Sequence, residues 1–138
     1  MHNRSFRESL SFAWAGLRWA WQTQKNIRRH ALAAVAALIL AHVLAFTAEE
    51  LVLVILTIAL VITVELINTA LETAIDLCQP HYHPLAKQAK DVAAAAVLVT
   101  ALVALIVALF LFGPRLLGVF RADSLSRLLS CGILKGRS

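Results

Sequence analysis

The 138-residue sequence is poor in helix breakers and in charge, with three prolines, five glycines and charged side chains at only 15% of positions against 60% hydrophobic. So little proline and glycine between runs of Ala, Leu and Val argues against a barrel of alternating strands and predicts an all-α chain. Sparse charge, with a mean hydropathy of +0.77, lies outside the range of soluble domains and makes an integral membrane protein the first expectation. Cysteine is nearly absent. Cys78 and Cys131 stand far apart, without the close spacing of a zinc knuckle or a redox pair, and receive no chemical role.

What is present begins with basic charge. The formal net charge is +5, but the cations flank apolar runs, where anionic lipid headgroups are the nearer partner, so nucleic acid is not expected to bind. Residues 1–30 hold Arg4, Arg7, Arg18, Lys25, Arg28 and Arg29, together with the apolar series Phe6, Leu10, Trp14, Leu17 and Trp21. That series steps by three or four and makes one stripe on a helix. Tryptophan and arginine suit the headgroup layer, so this segment is read as an amphipathic helix lying on the membrane surface. A secretory signal fits poorly, because two further apolar runs follow the first.

Three spans are expected. Residues 31–48 form the first, interrupted by His42 and Thr47; the polar Glu49-Glu50 turn follows; and residues 51–77 make a second helix of about 40 Å at roughly 1.5 Å per residue. Pro84 opens a new helix after a short loop, residues 92–112 supply the third span, and Gly113-Pro114 is expected to end it. The chain thus divides into a surface helix (1–30), a three-helix membrane domain (31–113) and a basic tail (114–138) that has no functional account. The positive-inside rule puts the N-terminus and the loop before Lys87 and Lys90 in the cytoplasm and the Glu49-Glu50 turn outside. The tail then falls outside, against the sign of its own arginines.

The second span carries Glu65, Asn68, Glu72 and Asp76. Spacings of three, four and four place them within about an 80° arc, so they make one face. A carboxylate in hydrocarbon costs roughly 2.5–3.5 kcal/mol on insertion scales, which requires compensation. These residues also lie toward a helix C-terminus, whose dipole disfavours anions, so a cation is the natural counter-charge. Mg²⁺ takes oxygen ligands, commonly one or two carboxylates with phosphate oxygens, and would neutralise the phosphates of a nucleotide. Lys87, Lys90 and Asp91 follow in the next helix, where lysine can hold phosphate and Asp91 can orient Lys90 or the metal's water shell. His81 and His83 around Tyr82 read more readily as solvated loop residues than as a zinc site, and His42 as a packing residue.

The run Glu65-Leu-Ile-Asn68-Thr-Ala-Leu-Glu72-Thr-Ala-Ile-Asp76, then His83-Pro84-Leu85-Ala86-Lys87, then Ala89-Lys90-Asp91-Val-Ala-Ala-Ala-Ala-Val97, resembles the small prokaryotic diacylglycerol kinase and undecaprenol kinase family. The resemblance covers residues 5–113. It implies an ATP- and Mg²⁺-dependent kinase of a membrane lipid alcohol in a bacterial inner membrane. It also implies a homotrimer of three-span subunits, each with a surface helix, and active sites shared between neighbours at the cytoplasmic interface.

By position, Glu65 matches the general base on the lipid hydroxyl and Glu72 a metal ligand. Asn68, Asp76, Lys90 and Asp91 match residues around the nucleotide, with His81, Tyr82 and His83 in its contacting loop. Gly16, Arg18, Trp21, Asn26 and Arg28 correspond to positions that line the lipid and nucleotide entrance. Gln24 stands where the family commonly has a magnesium-binding glutamate, which makes it a weaker candidate ligand. The His-Pro-Leu-Ala-Lys segment is closer to the undecaprenol branch. Two rivals remain: a small oligomeric transporter or ion-conducting bundle using Glu65 and Glu72 as coupling carboxylates, and an inactive membrane-domain partner.

Overall fold

The computed structural model describes residues 5–135. Among them every regular element is helical: α1 (Phe6–Thr23), α2 (Lys25–Val43), α3 (Ala48–Cys78) and α4 (Pro84–Lys135).

The chain enters α1 through a capping box, in which Ser5 Oγ accepts from the Glu8 N–H at 3.3 Å and Glu8 Oε2 accepts from the Ser5 N–H at 2.9 Å. Two of the free N–H groups at the helix start are thereby satisfied. The Thr23 hydroxyl donates to the Trp19 carbonyl at 2.8 Å, and Gln24 turns extended, with φ −102° and ψ 114°. The surface helix therefore stops at Thr23, and residues 25–30, grouped with it on sequence, form the first turns of α2. Phe6, Leu10, Trp14, Leu17 and Trp21 are all exposed. An apolar stripe with no protein against it suits a helix resting on lipid.

α2 ends at Val43, short of the expected residue 48. The Phe46 N–H reaches back to the Ala41 carbonyl at 3.0 Å, and Ala45 takes φ 51°, a left-handed conformation that costs an alanine about 1–2 kcal/mol. A second capping box then starts α3. Thr47 Oγ1 accepts from the Glu50 N–H at 3.3 Å, and Glu50 Oε2 accepts from the Thr47 N–H at 2.7 Å.

Among the described residues two helices are long and apolar enough to cross a bilayer, Ala48–Cys78 and Pro84–Val119, and their apolar windows are almost wholly unburied by protein. Apolar helices of this length with their side chains outward need lipid around them, so the chain is an integral membrane protein. α2 falls short as a span because Lys25, Arg28, Arg29 and His30 occupy its first turns. The packed core joins Ala41, Val54 and Phe112 with Phe46, Ile58 and Leu116 around them. It sits where the α2–α3 turn meets α4. Above it, the alanines of α2 leave an apolar groove of about 220 Å³ against α3 and α4, bordered by His30, Ala37, Val61 and Ala104.

The expected stop at Gly113-Pro114 is overturned: α4 continues to Lys135 with Pro114 inside it. An internal proline removes one ladder hydrogen bond and crowds the preceding turn, at a cost of about 3 kcal/mol. The side chain that follows it anchors this stretch from outside the helix. Arg115 Nη1 donates to the Leu44 carbonyl at 2.7 Å and to the Ala45 carbonyl at 2.9 Å, and Nη2 donates to both carboxylate oxygens of Glu50 at 2.9 and 2.6 Å. Its guanidinium also stacks 4.5 Å from the centre of the Phe46 ring, and that ring packs 4.6 Å from Phe112.

Candidate functional site

The acidic stripe occupies the half of α3 that leads to the α3–α4 loop. Its register follows from helix geometry alone, since residues three and four apart stack on one face. Glu65 is 2% exposed, Asn68 8% and Thr69 4%, the described polar side chains buried deepest in the chain. Asn68 Nδ2 donates to Glu72 Oε1 at 3.1 Å. Glu65 Oε2 and Asn68 Oδ1 are buried without a hydrogen-bond partner. An unsatisfied buried polar oxygen costs roughly 1–3 kcal/mol, more when charged, and such atoms are kept mainly where they serve a ligand or a reaction.

Toward the loop the stripe becomes wetter. Glu72 is half-buried and Asp76 exposed. Asp76 forms an ion pair with Lys90, across the gap between α3 and α4. Asp91, expected to orient Lys90 or a metal's water shell, is not paired with Lys90 but with Lys87, one turn earlier on its own helix. The reason is spacing. Lys87 and Asp91 are four apart on one helix face, whereas adjacent residues such as Lys90 and Asp91 diverge by about 100°. Thr69, missed on sequence because a threonine in a membrane helix reads as filler, is buried beside Asn68, and its carbonyl accepts from the Thr73 hydroxyl at 2.8 Å.

His83 is a helix cap rather than a free loop residue. Its Nδ1 accepts from the Leu85 N–H at 3.3 Å and its carbonyl from the Lys87 N–H at 3.0 Å. With Nδ1 accepting, the ring proton of a neutral imidazole lies on Nε2, which faces away from the cap. His81 and Tyr82 are exposed in the loop. Of the residues placed at the lipid entrance, Gly16, Arg18, Trp21 and Arg28 are exposed, and Asn26 Oδ1 accepts from Arg29 Nη1 at 3.2 Å. Gln24 is half-buried at the α1–α2 break.

Among the described residues no three His, Cys, Asp or Glu side chains cluster as an all-protein metal cage. The donors that α3 brings together are hard oxygens, the Glu72 carboxylate, the Asn68 amide and the unpartnered Glu65 oxygen. That set fits Mg²⁺, which takes one or two carboxylates and completes its shell with water and phosphate oxygens. It does not fit zinc, which asks for nitrogen and sulfur.

A buried carboxylate beside an amide–carboxylate pair, with a lysine toward the loop end of the same stripe, is an arrangement that can accept a proton and hold a phosphate nearby. Comparison with known proteins gives it a family. The model of prokaryotic diacylglycerol kinase matches residues 11–112, which contain the whole stripe and the Lys90–Asp76 pair. The chain belongs to the prokaryotic diacylglycerol kinase family. It is 45% identical over 112 residues to a diacylglycerol kinase of Synechocystis, covering 80% of this chain but 64% of that protein, so it spans just under two thirds of that relative. It is 41% identical over 117 residues to an undecaprenol kinase of Bacillus subtilis, covering 83% of this chain and 92% of that one. A diacylglycerol kinase of Escherichia coli is 36% identical over 99 residues, 72% of this chain and 81% of the other. Membership in a diacylglycerol kinase family removes the support for the transporter reading. Arg115 lies beyond the matched segment.

Proposed function

We propose that this chain is an ATP- and Mg²⁺-dependent kinase that transfers the γ-phosphoryl group to the hydroxyl of a membrane lipid alcohol at the cytoplasmic face of a bacterial inner membrane. The observation that carries the reading is Glu65: a carboxylate buried at membrane depth with a free oxygen, in a chain of this family. The working unit is a homotrimer of three-span subunits with shared active sites, α2 serving as the first span behind its basic first turns. The lysines and the acidic stripe face the cytoplasm, and the Glu50 turn faces outward.

The chemistry is an in-line displacement. The lipid O–H bond breaks as the oxygen attacks the γ-phosphorus; the new O–P bond forms; the bond from the γ-phosphorus to its bridging oxygen breaks; and ADP leaves with that electron pair. Glu65 takes the proton. Burial keeps water from competing for its oxygen and brings the lipid hydroxyl, which sits at the interface, to the carboxylate. Asn68 fixes Glu72 by its hydrogen bond and turns its own carbonyl oxygen toward the site. Glu72, with the Gln24 amide, would hold magnesium, which when bound neutralises charge on the phosphates. Lys90 supplies a positive group at the mouth, held in place by Asp76, and positioning and charge neutralisation supply most of the rate. The exposed His81-Tyr82 loop and the His83 cap border the nucleotide, and the exposed face formed by Gly16, Arg18, Trp21, Asn26 and Arg28 admits the lipid.

Undecaprenol is favoured over diacylglycerol as acceptor on the His83-Pro84-Leu85-Ala86-Lys87 segment. Purified protein in detergent, given labelled ATP with diacylglycerol and a polyprenol in parallel, tests this. Faster labelling of the polyprenol is the expected result. Labelling of neither lipid, beside a family member active under the same conditions, would overturn the proposal.

A further inference from the structure

Arg115 makes more directed contacts than any site residue, yet it lies at the opposite end of the α3–α4 pair from the carboxylates. One guanidinium ties three helices together. It satisfies two carbonyls at the end of α2, forks onto the Glu50 carboxylate in the first turn of α3, and belongs to α4. Arginine suits this task because its planar fork meets a carboxylate on two bonds while its face stacks on an aromatic ring, here Phe46.

The second ion pair between α3 and α4, Asp76–Lys90, closes the other end. At roughly 1.5 Å per residue, α3 runs about 39 Å from Glu50 to Asp76 and α4 about 38 Å from Lys90 to Arg115, so the two antiparallel segments match in length. Between the pairs the packed surfaces are mostly Val, Leu, Ile and Ala, with Phe112 and the buried Glu65, Asn68 and Thr69 among them. In lipid such surfaces have no hydrophobic penalty for sliding past each other, and only packing and polar contacts set their alignment. A slip of one residue would move Lys90 by about 1.5 Å and turn it by about 100°.

We propose that the Arg115–Glu50 clamp is a positioning device that sets the register of α4 on α3, and through it the place of Lys90 opposite Asp76. Its effect on catalysis rests on the function proposed above; its effect on register does not. Pro114 contributes by fixing the backbone immediately before the clamp residue. Arg115 lies outside the segment that the family model matches, residues 11–112.

The test uses the full chain in lipid nanodiscs with Cys78→Ser and Cys131→Ser, spin-labelled at Gln79→Cys and Gln88→Cys, two exposed positions flanking the site. Labelled chains are diluted with unlabelled ones so that only distances within one chain are read. Arg115→Gln should displace or broaden the 79–88 distance distribution. In the unlabelled protein it should lower kcat/KM for ATP about tenfold, since misplacement by an ångström can cost about a hundredfold. Arg115→Lys should recover part of both. Glu50→Gln, which leaves the bonds to Leu44 and Ala45, should give a smaller shift and guards against a folding failure in Arg115→Gln. An unchanged distance distribution in both variants overturns the register claim, whatever the kinetics. A shifted distribution with unchanged kcat/KM overturns the link to the site. A parent chain that phosphorylates neither lipid would sink the proposed function instead, and the distance measurement would still decide the clamp.

Discussion

The two ends of the α3–α4 pair solve the same problem, ionised groups beside a bilayer, in opposite ways. At the Glu50 end the half-buried charges are paired: the Glu50 carboxylate is capped by Thr47 and forked by Arg115, and the guanidinium is stacked on an aromatic ring. At the Glu65 end the deepest carboxylate keeps an oxygen with no partner, and the amide beside it does the same. A fully satisfied network stiffens a structure; a partly satisfied one costs stability and is retained where something else uses it. The first end holds the helices, and the second is where chemistry is expected.

The sharpest way to break this contrast is at Glu65. Glu65→Gln keeps size and hydrogen-bonding capacity but removes the proton acceptor, so turnover should fall by roughly 10²–10⁴-fold while helical content and assembly stay unchanged. Steady-state phosphorylation alongside circular dichroism measures both. A variant working at nearly the parental rate would make the buried carboxylate structural, and the two ends would no longer differ in kind.

The Lys90–Asp76 pair should behave differently from the clamp although both are cross-helix ion pairs. Asp76 and Lys90 are more exposed than Glu50 and Arg115, and exposed pairs add only about 0–1 kcal/mol to stability. Lys90→Ala should therefore raise KM for ATP about tenfold and leave the thermal midpoint nearly unmoved, whereas Arg115→Gln should lower both the midpoint and the rate. Equal losses of midpoint in the two variants would remove the distinction.

How legible this was in the sequence differs by end. The stripe could be read because Glu65, Asn68, Glu72 and Asp76 recur at helical spacing inside an apolar run, where a polar residue is costly enough to need a reason. Its finer pairing was legible only in part: the four-residue spacing of Lys87 and Asp91 is local, but nothing local says that Lys90 reaches across to Asp76. The clamp was invisible because its partners lie far away in sequence and because Gly113-Pro114 reads locally as a stop, which tertiary contacts to Arg115 override. The break at Gln24 was missed for a related reason. No proline or glycine marks it, and the chain leaves the helix through the conformation of a single glutamine.

That break sharpens the comparison at the site. Gln24 is half-buried between α1 and α2, and in the function proposed above its neutral amide would offer magnesium a weaker oxygen than a carboxylate. Gln24→Glu should lower the magnesium concentration giving half-maximal activity by roughly threefold, about 0.7 kcal/mol of added binding, with kcat little changed. A titration showing the same magnesium requirement would take Gln24 out of the metal's surroundings.

The smallest effect belongs to the clamp and concerns pH. The Thr47 N–H bonded to Glu50, followed by its hydroxyl and the Arg115 guanidinium, holds this carboxyl below the ordinary carboxylate value near 4.5. A carboxyl whose pKa is lower in the folded than in the unfolded chain contributes stability that is fully present above the unfolded value and disappears as pH falls through the folded one. Acidification from about pH 5 toward pH 3 should thus lower the thermal midpoint of the parent chain more than that of Glu50→Gln, which has no proton to gain there. The difference between the two chains carries the information. Because Glu50 and Arg115 are partly exposed, that difference should shrink as salt is added. Parallel midpoints across the whole range would mean that the Glu50 end is held by the Arg115–carbonyl bonds and the Phe46 stack, with the ion pair contributing nothing.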